Sequence, residues 1–142
     1  MNKGIIYIIK CKDKNIKDCY IGSTINLKRR IIQQKYCCNN PNSDRGHLKL
    51  YQFMRDNGGF INFEHKILED DIEINNRNEL NKIERYYIEE FKSSLNIDIP
   101  SRTKKEYNLQ KIICSCGSII SKPNYAKHCK SKKHLQYIEN NN

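Results

Sequence analysis

Two tyrosines, Tyr7 and Tyr20, have a type and spacing that could support chemistry. Each lies in a short run rich in β-branched residues, at residues 4–9 and 19–24, and such runs predict β-strands. The polar residues 10–18 between them predict an exposed hairpin connection. Two antiparallel strands would bring both phenol hydroxyls into one neighbourhood. On a basic chain this arrangement indicates chemistry on a phosphate, while ordinary packing of the two rings is the alternative.

A glutamate and an arginine could complete such a site, since phosphodiester hydrolysis needs an activated water and neutralised charge. Glu84 lies at the centre of an apolar helical stripe with Leu80, Tyr87 and Phe91. A carboxylate on an apolar face is costly unless it is paired or binds a metal. The alternative is a rotated helix with Glu84 at the edge of the stripe, paired to a lysine. Arg30 shares a helical face with apolar residues, which predicts that it points toward the sheet.

A second constellation consists of Cys114, Cys116, His128 and His134, spaced C-x-C-x11-H-x5-H. Two thiolates and two imidazoles can form a closed tetrahedral zinc site. Such a site would be structural and would fold a segment too short to have its own core. Cys129 is an alternative ligand, although its position beside His128 should point it away. The other alternative is a reduced, partly disordered basic tail that binds no metal.

This Cys/His segment resembles a C2H2 zinc finger with the wide histidine spacing of RNA-associated and matrin-type fingers. Lys127 and Lys130 lie along the same segment. We expect both lysines to contact phosphates, which would make binding dependent on salt. No set of base-reading side chains is evident, so the segment predicts non-specific or structure-directed binding.

The composition favours a polyanionic partner inside the cell. The chain has 142 residues and a net charge of +10, and nucleic acid is the commonest partner of so basic a protein. A mean hydropathy of −0.84 argues against a membrane span. The first residues do not resemble a signal peptide, and an odd number of cysteines argues against a disulfide framework. We therefore expect a reducing intracellular compartment, either cytoplasm or nucleus, and a monomer or transient dimer.

The elements that must position these residues follow from periodicity. After the hairpin we expect an N-cap at Asn26, three helices and one further strand; the helices cover about 26–35, 47–57 and 78–91, and the strand covers 63–68. The composition changes near residue 111. We expect three regions: a first domain over 1–110, the Cys/His module over 111–138 and a disordered tail over 139–142.

These residues resemble the GIY-YIG endonucleases over most of the chain. The first family motif falls on residues 5–7, with isoleucine where glycine is usual, and the second falls intact on residues 20–22. Arg30 stands ten residues after the second tyrosine, as in the family. The family's glutamate, in the pattern L-x-x-x-E-x-x-x-I, falls on Glu84, and its late asparagine falls on Asn108. The chain looks most similar to the compact versions in homing endonucleases and large DNA viruses.

The resemblance implies an α+β fold, with a small three-stranded antiparallel sheet flanked by helices. It also implies one Mg²⁺ or Mn²⁺ ion held by Glu84 beside the leaving 3′ oxygen. In that scheme Tyr7 is the general base, Tyr20 orients the water or the phosphate, and Arg30 binds the scissile phosphate. Asn108 is the remaining catalytic position that the resemblance implies.

The same resemblance implies contacts with the substrate, which is expected to be double-stranded DNA. The positions concerned lie around the second motif, on the first helix and in the following loop: Gly22, Ser23, Arg29, Gln34, Arg45 and His47. Gln34 replaces a histidine or tyrosine common in the family and cannot take up a proton. The two departures from the family pattern, Ile5 and Gln34, leave a second hypothesis open. It is a non-catalytic nucleic-acid-binding protein with the nuclease fold.

Overall fold

A computed structural model describes residues 2–141 and divides the chain into two compact units, Met1–Ser101 and Arg102–Asn142. The division lies about ten residues before the boundary expected near residue 111. The reason is a short helix, Lys104–Leu109, that packs within the second unit. Its C-cap residue Gln110 accepts a 2.8 Å hydrogen bond from the backbone of Lys122. No helix in residues 2–141 is long and apolar enough to cross a membrane.

The first unit contains the predicted three-stranded antiparallel sheet. Its strands are β1 (Asn2–Cys11), β2 (Cys19–Thr24) and β3 (Phe63–Ile74), in the order β2-β1-β3. The third strand is longer than expected because its second half continues to pair with the start of β1, as far as Ile74 opposite Asn2. β2 is therefore an edge strand.

Three helices cover the sheet: α1 (Leu27–Asn39), α2 (Lys49–Asp56) and α3 (Arg77–Glu90). The predicted N-cap is confirmed, since the Asn26 side chain accepts a hydrogen bond from the Arg29 amide. α1 continues beyond the end expected near residue 35 and includes Cys37 and Cys38, because both thiols are buried in the core. One apolar cluster on Tyr7 and Ile9 packs with α1 and α2, and a second on the alternate strand residues packs with α3.

The second unit holds α4 (Lys104–Leu109), the hairpin β4 (Lys111–Ile113) and β5 (Ile119–Ser121), α5 (Tyr125–Cys129) and α6 (Lys132–Asn140). α5 begins at Tyr125, so His128 lies on this short helix. The tail expected to be disordered over 139–142 is helical at residues 139 and 140. Asn142 lies outside the described residues.

Candidate active site

Gly22 lets the rings of Tyr7 and Tyr20 meet at one point of the sheet. Gly22 pairs directly with Tyr7 across β1 and β2, and Tyr20 precedes Gly22 by two residues on β2. The side chains of Tyr7 and Tyr20 therefore lie on the same face of the sheet. A Cβ atom on Gly22 would lie 2.5 Å from the Tyr7 hydroxyl oxygen and 2.9 Å from a ring carbon of Tyr20. The hairpin therefore brings the two phenols together as the sequence predicted. Gly22 is itself buried, so it supports the rings rather than facing solvent.

The Tyr7 hydroxyl belongs to a buried network of hydrogen bonds. It accepts from Arg30 Nε at 3.2 Å and from Gln34 Nε2 at 3.0 Å, and Tyr7 is 0% exposed. The Oε1 atom of Gln34 lies 3.0 Å from His65 Nε2. Burial raises the pKa of the Tyr7 phenol, and the charge of Arg30 opposes that rise. This network therefore holds Arg30 in place through the phenol of Tyr7, which is not accessible to solvent.

Two residues of this hydrogen-bond network differ from the sequence expectations. Gln34 is 0% exposed, so it contacts Tyr7 and His65 rather than the substrate-facing surface. His65 was not singled out at all. Its signal was available, since it is a polar residue on the inward-facing alternation of a predicted strand between Phe63 and Ile67. Burial lowers the pKa of His65, which favours its neutral form.

Glu84 lies on the inner face of α3, between the buried Leu80 and Ile88. Only 9% of Glu84 is exposed, so the alternative of a solvated edge position with a lysine partner is wrong. Its partners are Ser23, whose hydroxyl donates to Glu84 Oε2, and Arg77, whose Nη2 is 3.7 Å from the same oxygen. Burial raises the pKa of Glu84, and the hydrogen bond from Ser23 and the charge of Arg77 oppose the rise. Ser23 is 7% exposed and was expected to contact substrate, but it orients this carboxylate.

Several of the predicted site residues of the first unit line one cleft of about 280 Å³ at the β2 edge. Tyr20, Arg30 and Glu84 line it, with Arg45 and Tyr51. Burial raises the pKa of Tyr51 to about 12, so its phenol is neutral beside Arg30. The cleft combines a carboxylate, a phenol and guanidinium groups, which suits a phosphodiester and a metal ion.

The two tyrosines differ in their access to this cleft. Tyr20 lines it and is partly exposed, whereas Tyr7 does not line it. Burial and the neighbouring Tyr7 raise the pKa of Tyr20, and Arg30 opposes the rise. Of the pair, only Tyr20 is in a position to meet a molecule bound in the cleft.

A groove of about 790 Å³ adjoins α1 and carries further predicted contacts. Arg29 and Arg45 are exposed and line it, together with Arg30 and Arg77. His47 is also exposed, and its backbone carbonyl accepts a hydrogen bond from Gln52, but it lines neither the cleft nor the groove.

The asparagine that closes the edge of β2 beside the cleft is Asn96, whereas Asn108, the expected catalytic asparagine, lies elsewhere. The Asn96 side chain accepts from the Ile21 amide at 2.8 Å and donates to the Ile21 carbonyl at 2.8 Å. It therefore satisfies the exposed edge of β2 as a neighbouring strand would, and it lines the cleft. Asn108 belongs to α4 in the second unit, where it is exposed. Sequence reasoning missed Asn96 because it lies in an irregular segment without periodicity.

Comparison with known families identifies the family of the chain. The model of the GIY-YIG catalytic domain matches residues 3–111, which is most of the chain. The chain belongs to the GIY-YIG family. This assigns it to the nucleases, which hydrolyse phosphodiester bonds and generally depend on divalent metal. No curated protein and no solved structure matches the chain.

The GIY-YIG cleft has the donor atoms that a hard divalent cation requires. Glu84 supplies a buried carboxylate, and the Asn81 amide and the Tyr20 phenol line the same cleft. Mg²⁺ prefers oxygen ligands and usually binds through one or two carboxylates while it keeps several waters. The open cleft leaves space for such waters, so these residues fit a single magnesium or manganese ion.

In the second unit, the four predicted zinc ligands form one cluster. The ligand atoms of Cys114, Cys116, His128 and His134 all lie within 4.8 Å of one another. Cys114 Sγ is 3.2 Å from His134 Nδ1, and Cys116 Sγ is 3.2 Å from His128 Nε2. A tetrahedral zinc ion requires ligand separations of roughly 3.3–3.8 Å, so the cluster fits zinc with small adjustments. Cys129 is outside the cluster.

The electrostatics of this cluster favour the metal-binding form of one ligand, Cys116. Hydrogen bonds with Ser118 and His134 lower the pKa of the Cys116 thiol to about 5. The thiolate is the form that binds zinc. Lys127 and Lys130 are both exposed, at the end of α5 and just after it. The described cluster and these lysines are compatible with a small basic metal module.

Proposed function

We propose that this GIY-YIG chain is a metal-dependent DNA endonuclease that uses one divalent ion in the cleft at the β2 edge. The supporting observation is the placement of Glu84. It is a buried carboxylate that lines the same cleft as a phenol, Tyr20, and a guanidinium, Arg30. A buried carboxylate without a close, fully paired cation is costly for stability, which is typical of a functional group.

Glu84 would hold Mg²⁺ or Mn²⁺, with its carboxylate oriented by the Ser23 hydroxyl. Such an ion, when bound, supplies positive charge that stabilises the leaving 3′ oxygen. Arg30 would bind the non-bridging oxygens of the scissile phosphate. Its geometry is set by Tyr7, Tyr7 is held by Gln34, and Gln34 in turn contacts His65.

Hydrolysis requires that a water oxygen bond to phosphorus while the bond to the 3′ oxygen breaks. We assign the contact with this water to Tyr20, in place of the general base expected at Tyr7. Tyr20 lines the cleft, whereas Tyr7 is fully buried and its hydroxyl accepts two hydrogen bonds. Tyr20 would act in its phenolate form, which the charge of Arg30 favours, and would take the proton of the attacking water to become a neutral phenol.

DNA would approach along the groove beside α1, where Arg29 and Arg45 can contact phosphates on either side of the cut. The second unit would bind zinc at Cys114, Cys116, His128 and His134. Its exposed Lys127 and Lys130 would hold the enzyme on DNA without reading bases. Asn108 keeps its implied catalytic role only as a prediction, since it does not line the cleft, whereas Asn81 and Asn96 do.

Plasmid nicking in the presence of Mg²⁺ tests the proposal. Wild-type protein should convert supercoiled plasmid to the open circle, and Glu84→Gln should lower the rate at least ~10³-fold, since metal stabilisation of the leaving oxygen is worth several kcal/mol. Glu90→Gln is the matched control, because Glu90 is an exposed carboxylate on the same helix. Its rate should equal that of the wild type.

Two outcomes would refute the nuclease proposal. One is equal nicking by wild type and Glu84→Gln. The other is no nicking by the wild type at any metal or pH, combined with retained DNA binding, which would establish the alternative of a non-catalytic binding protein. Metal analysis of the purified chain should find about one zinc per chain. A chain prepared with zinc that retains none would end the proposal for the second unit.

A further inference from the structure

Arg77 has a position that neither the family motifs nor the roles above explain. It is the first residue of α3, about two turns before Glu84 on the same helix. Its Nη2 donates to Ser23 Oγ at 2.8 Å and lies 3.4 Å from the Ser23 carbonyl oxygen. The same nitrogen is 3.7 Å from Glu84 Oε2. Arg77 therefore contacts both the carboxylate expected to bind the cation and the hydroxyl that orients it.

The ion pair between Arg77 and Glu84 is loose. A separation of 3.7 Å is beyond normal hydrogen-bond distance, and the Arg77 side chain is 55% exposed, against 12% for Glu84. An exposed guanidinium at this distance is screened by water and easily displaced. The contacts described for Arg77 all use one terminal nitrogen, so its other donors are open to a ligand from solvent.

Arg77 also stands where the cleft meets the groove. Both are lined by Arg30, Arg45 and Arg77, while Glu84 lines only the cleft and Arg29 only the groove. A nucleic-acid backbone that places one phosphate beside Glu84 and continues into the groove must pass this arginine. Arginine suits that position because its planar fork binds phosphate oxygens in pairs.

We propose that Arg77 exchanges partners during the reaction cycle. Without a divalent ion it neutralises Glu84, and with the ion on Glu84 it releases the carboxylate and binds the phosphate next to the scissile one. This inference rests on the proposed function, because it takes Glu84 as the ligand of the ion. Its physical basis is charge: a divalent cation and a guanidinium compete for one carboxylate, and a phosphate of the substrate accepts the displaced guanidinium.

The exchange predicts opposite effects of one substitution on two ligands. Arg77→Gln should tighten Mn²⁺ binding to the DNA-free protein roughly 3- to 10-fold, because the competing cation is gone. The same variant should bind duplex DNA more weakly and lower the salt slope of binding by about one. A residue that only stabilised the fold would not improve the affinity for one ligand while it reduced the affinity for the other.

Arg29→Gln is the matched control. Arg29 is an exposed arginine of the same groove, and its described contacts do not involve Glu84. It should lose DNA affinity and salt slope to the same extent and leave Mn²⁺ affinity unchanged. Arg77→Lys should keep Mn²⁺ affinity near that of the wild type, because it retains the competing charge, while losing part of the DNA affinity.

Mn²⁺ binding is measured by calorimetry on the full chain with its Cys/His cluster saturated with zinc, and DNA binding by fluorescence anisotropy across a salt series. Unchanged or weaker Mn²⁺ binding in Arg77→Gln would overturn the exchange and leave the nuclease proposal intact. If Glu84→Gln binds Mn²⁺ as tightly as wild type, the cation is not on Glu84, and the exchange falls together with the single-metal mechanism.

Discussion

The two units stabilise their functional residues in different ways. In the first, Tyr7, Gln34 and Leu80 are fully buried, and two apolar clusters hold the strands and helices around the cleft. Among residues 102–141, the buried side chains are Cys114 and His134, and both are zinc ligands in our proposal. The first unit can thus position its site by apolar packing, while the second would depend on the groups that we propose to bind zinc.

This contrast explains why a basic segment of about forty residues can be ordered at all. So short a chain rarely buries enough apolar surface to fold alone, and a structural metal commonly supplies the missing free energy. Several large apolar side chains of the second unit stay exposed, such as Ile113 at 76% and Ile119 at 68%. In the first unit the apolar clusters supply this stability, so Glu84 is available for the metal binding that we propose.

The largest expected effect is the loss of the fold of the second unit in Cys114→Ser. Structural zinc contributes about 10–16 kcal/mol of apparent folding free energy, which no other contact there replaces. Two-dimensional NMR should show the amide signals of residues 102–141 collapsing to disordered positions while those of residues 2–101 are unchanged. Cys129→Ser is the control, because Cys129 lies in the same unit but outside the cluster. Dispersed signals for the second unit in zinc-free Cys114→Ser would break the contrast.

The next effect separates the two tyrosines of the first unit. Tyr20→Phe should lower the nicking rate by roughly 10²–10⁴-fold, the range of general acid–base catalysis, with little change in stability. Tyr7→Phe should cost about 1–3 kcal/mol of unfolding free energy, because it leaves the buried Gln34 amide without its acceptor. Urea denaturation and single-turnover nicking measure the two quantities. A larger loss of stability in Tyr20→Phe than in Tyr7→Phe would reverse the roles.

The smallest expected effect is a pH dependence caused by His65. Burial lowers the folded pKa of His65 below its unfolded value near 6.5, so the unfolded chain takes up a proton more readily. The stability of the first unit should therefore fall as pH decreases through that value. Urea denaturation at pH 7.5 and 5.5 should show a smaller decrease in His65→Gln than in the wild type. Equal decreases would show that His65 is not buried in the neutral form.

Much of the first unit is predictable from sequence because its signals are local or periodic. The strand pair followed from the β-branched runs around Tyr7 and Tyr20, and the inner position of Glu84 followed from its apolar stripe. The resemblance to the GIY-YIG endonucleases supported this prediction, because these residues occur in the order found in the family. Asn26 as an N-cap is a further local signal that the structure confirms.

What sequence could not supply are contacts between distant segments. The Gln34–His65 contact spans 31 residues, and the pairing of Asn96 with Ile21 spans 75. The local sequence pattern around His65 or Asn96 does not indicate which distant residues they contact. The burial of Gln34 depends on the same long-range packing, which is why it was expected to face the substrate.

We propose that the first unit carries the chemistry on its own core, while zinc organises only the second. Single-turnover plasmid nicking at saturating protein and excess Mg²⁺, before and after a chelator that prefers zinc to magnesium, tests it directly. We predict that the second unit unfolds and DNA binding weakens, while the nicking rate at saturation is retained and still depends on Glu84. Loss of nicking at saturation, with the first unit still folded, would contradict the claim.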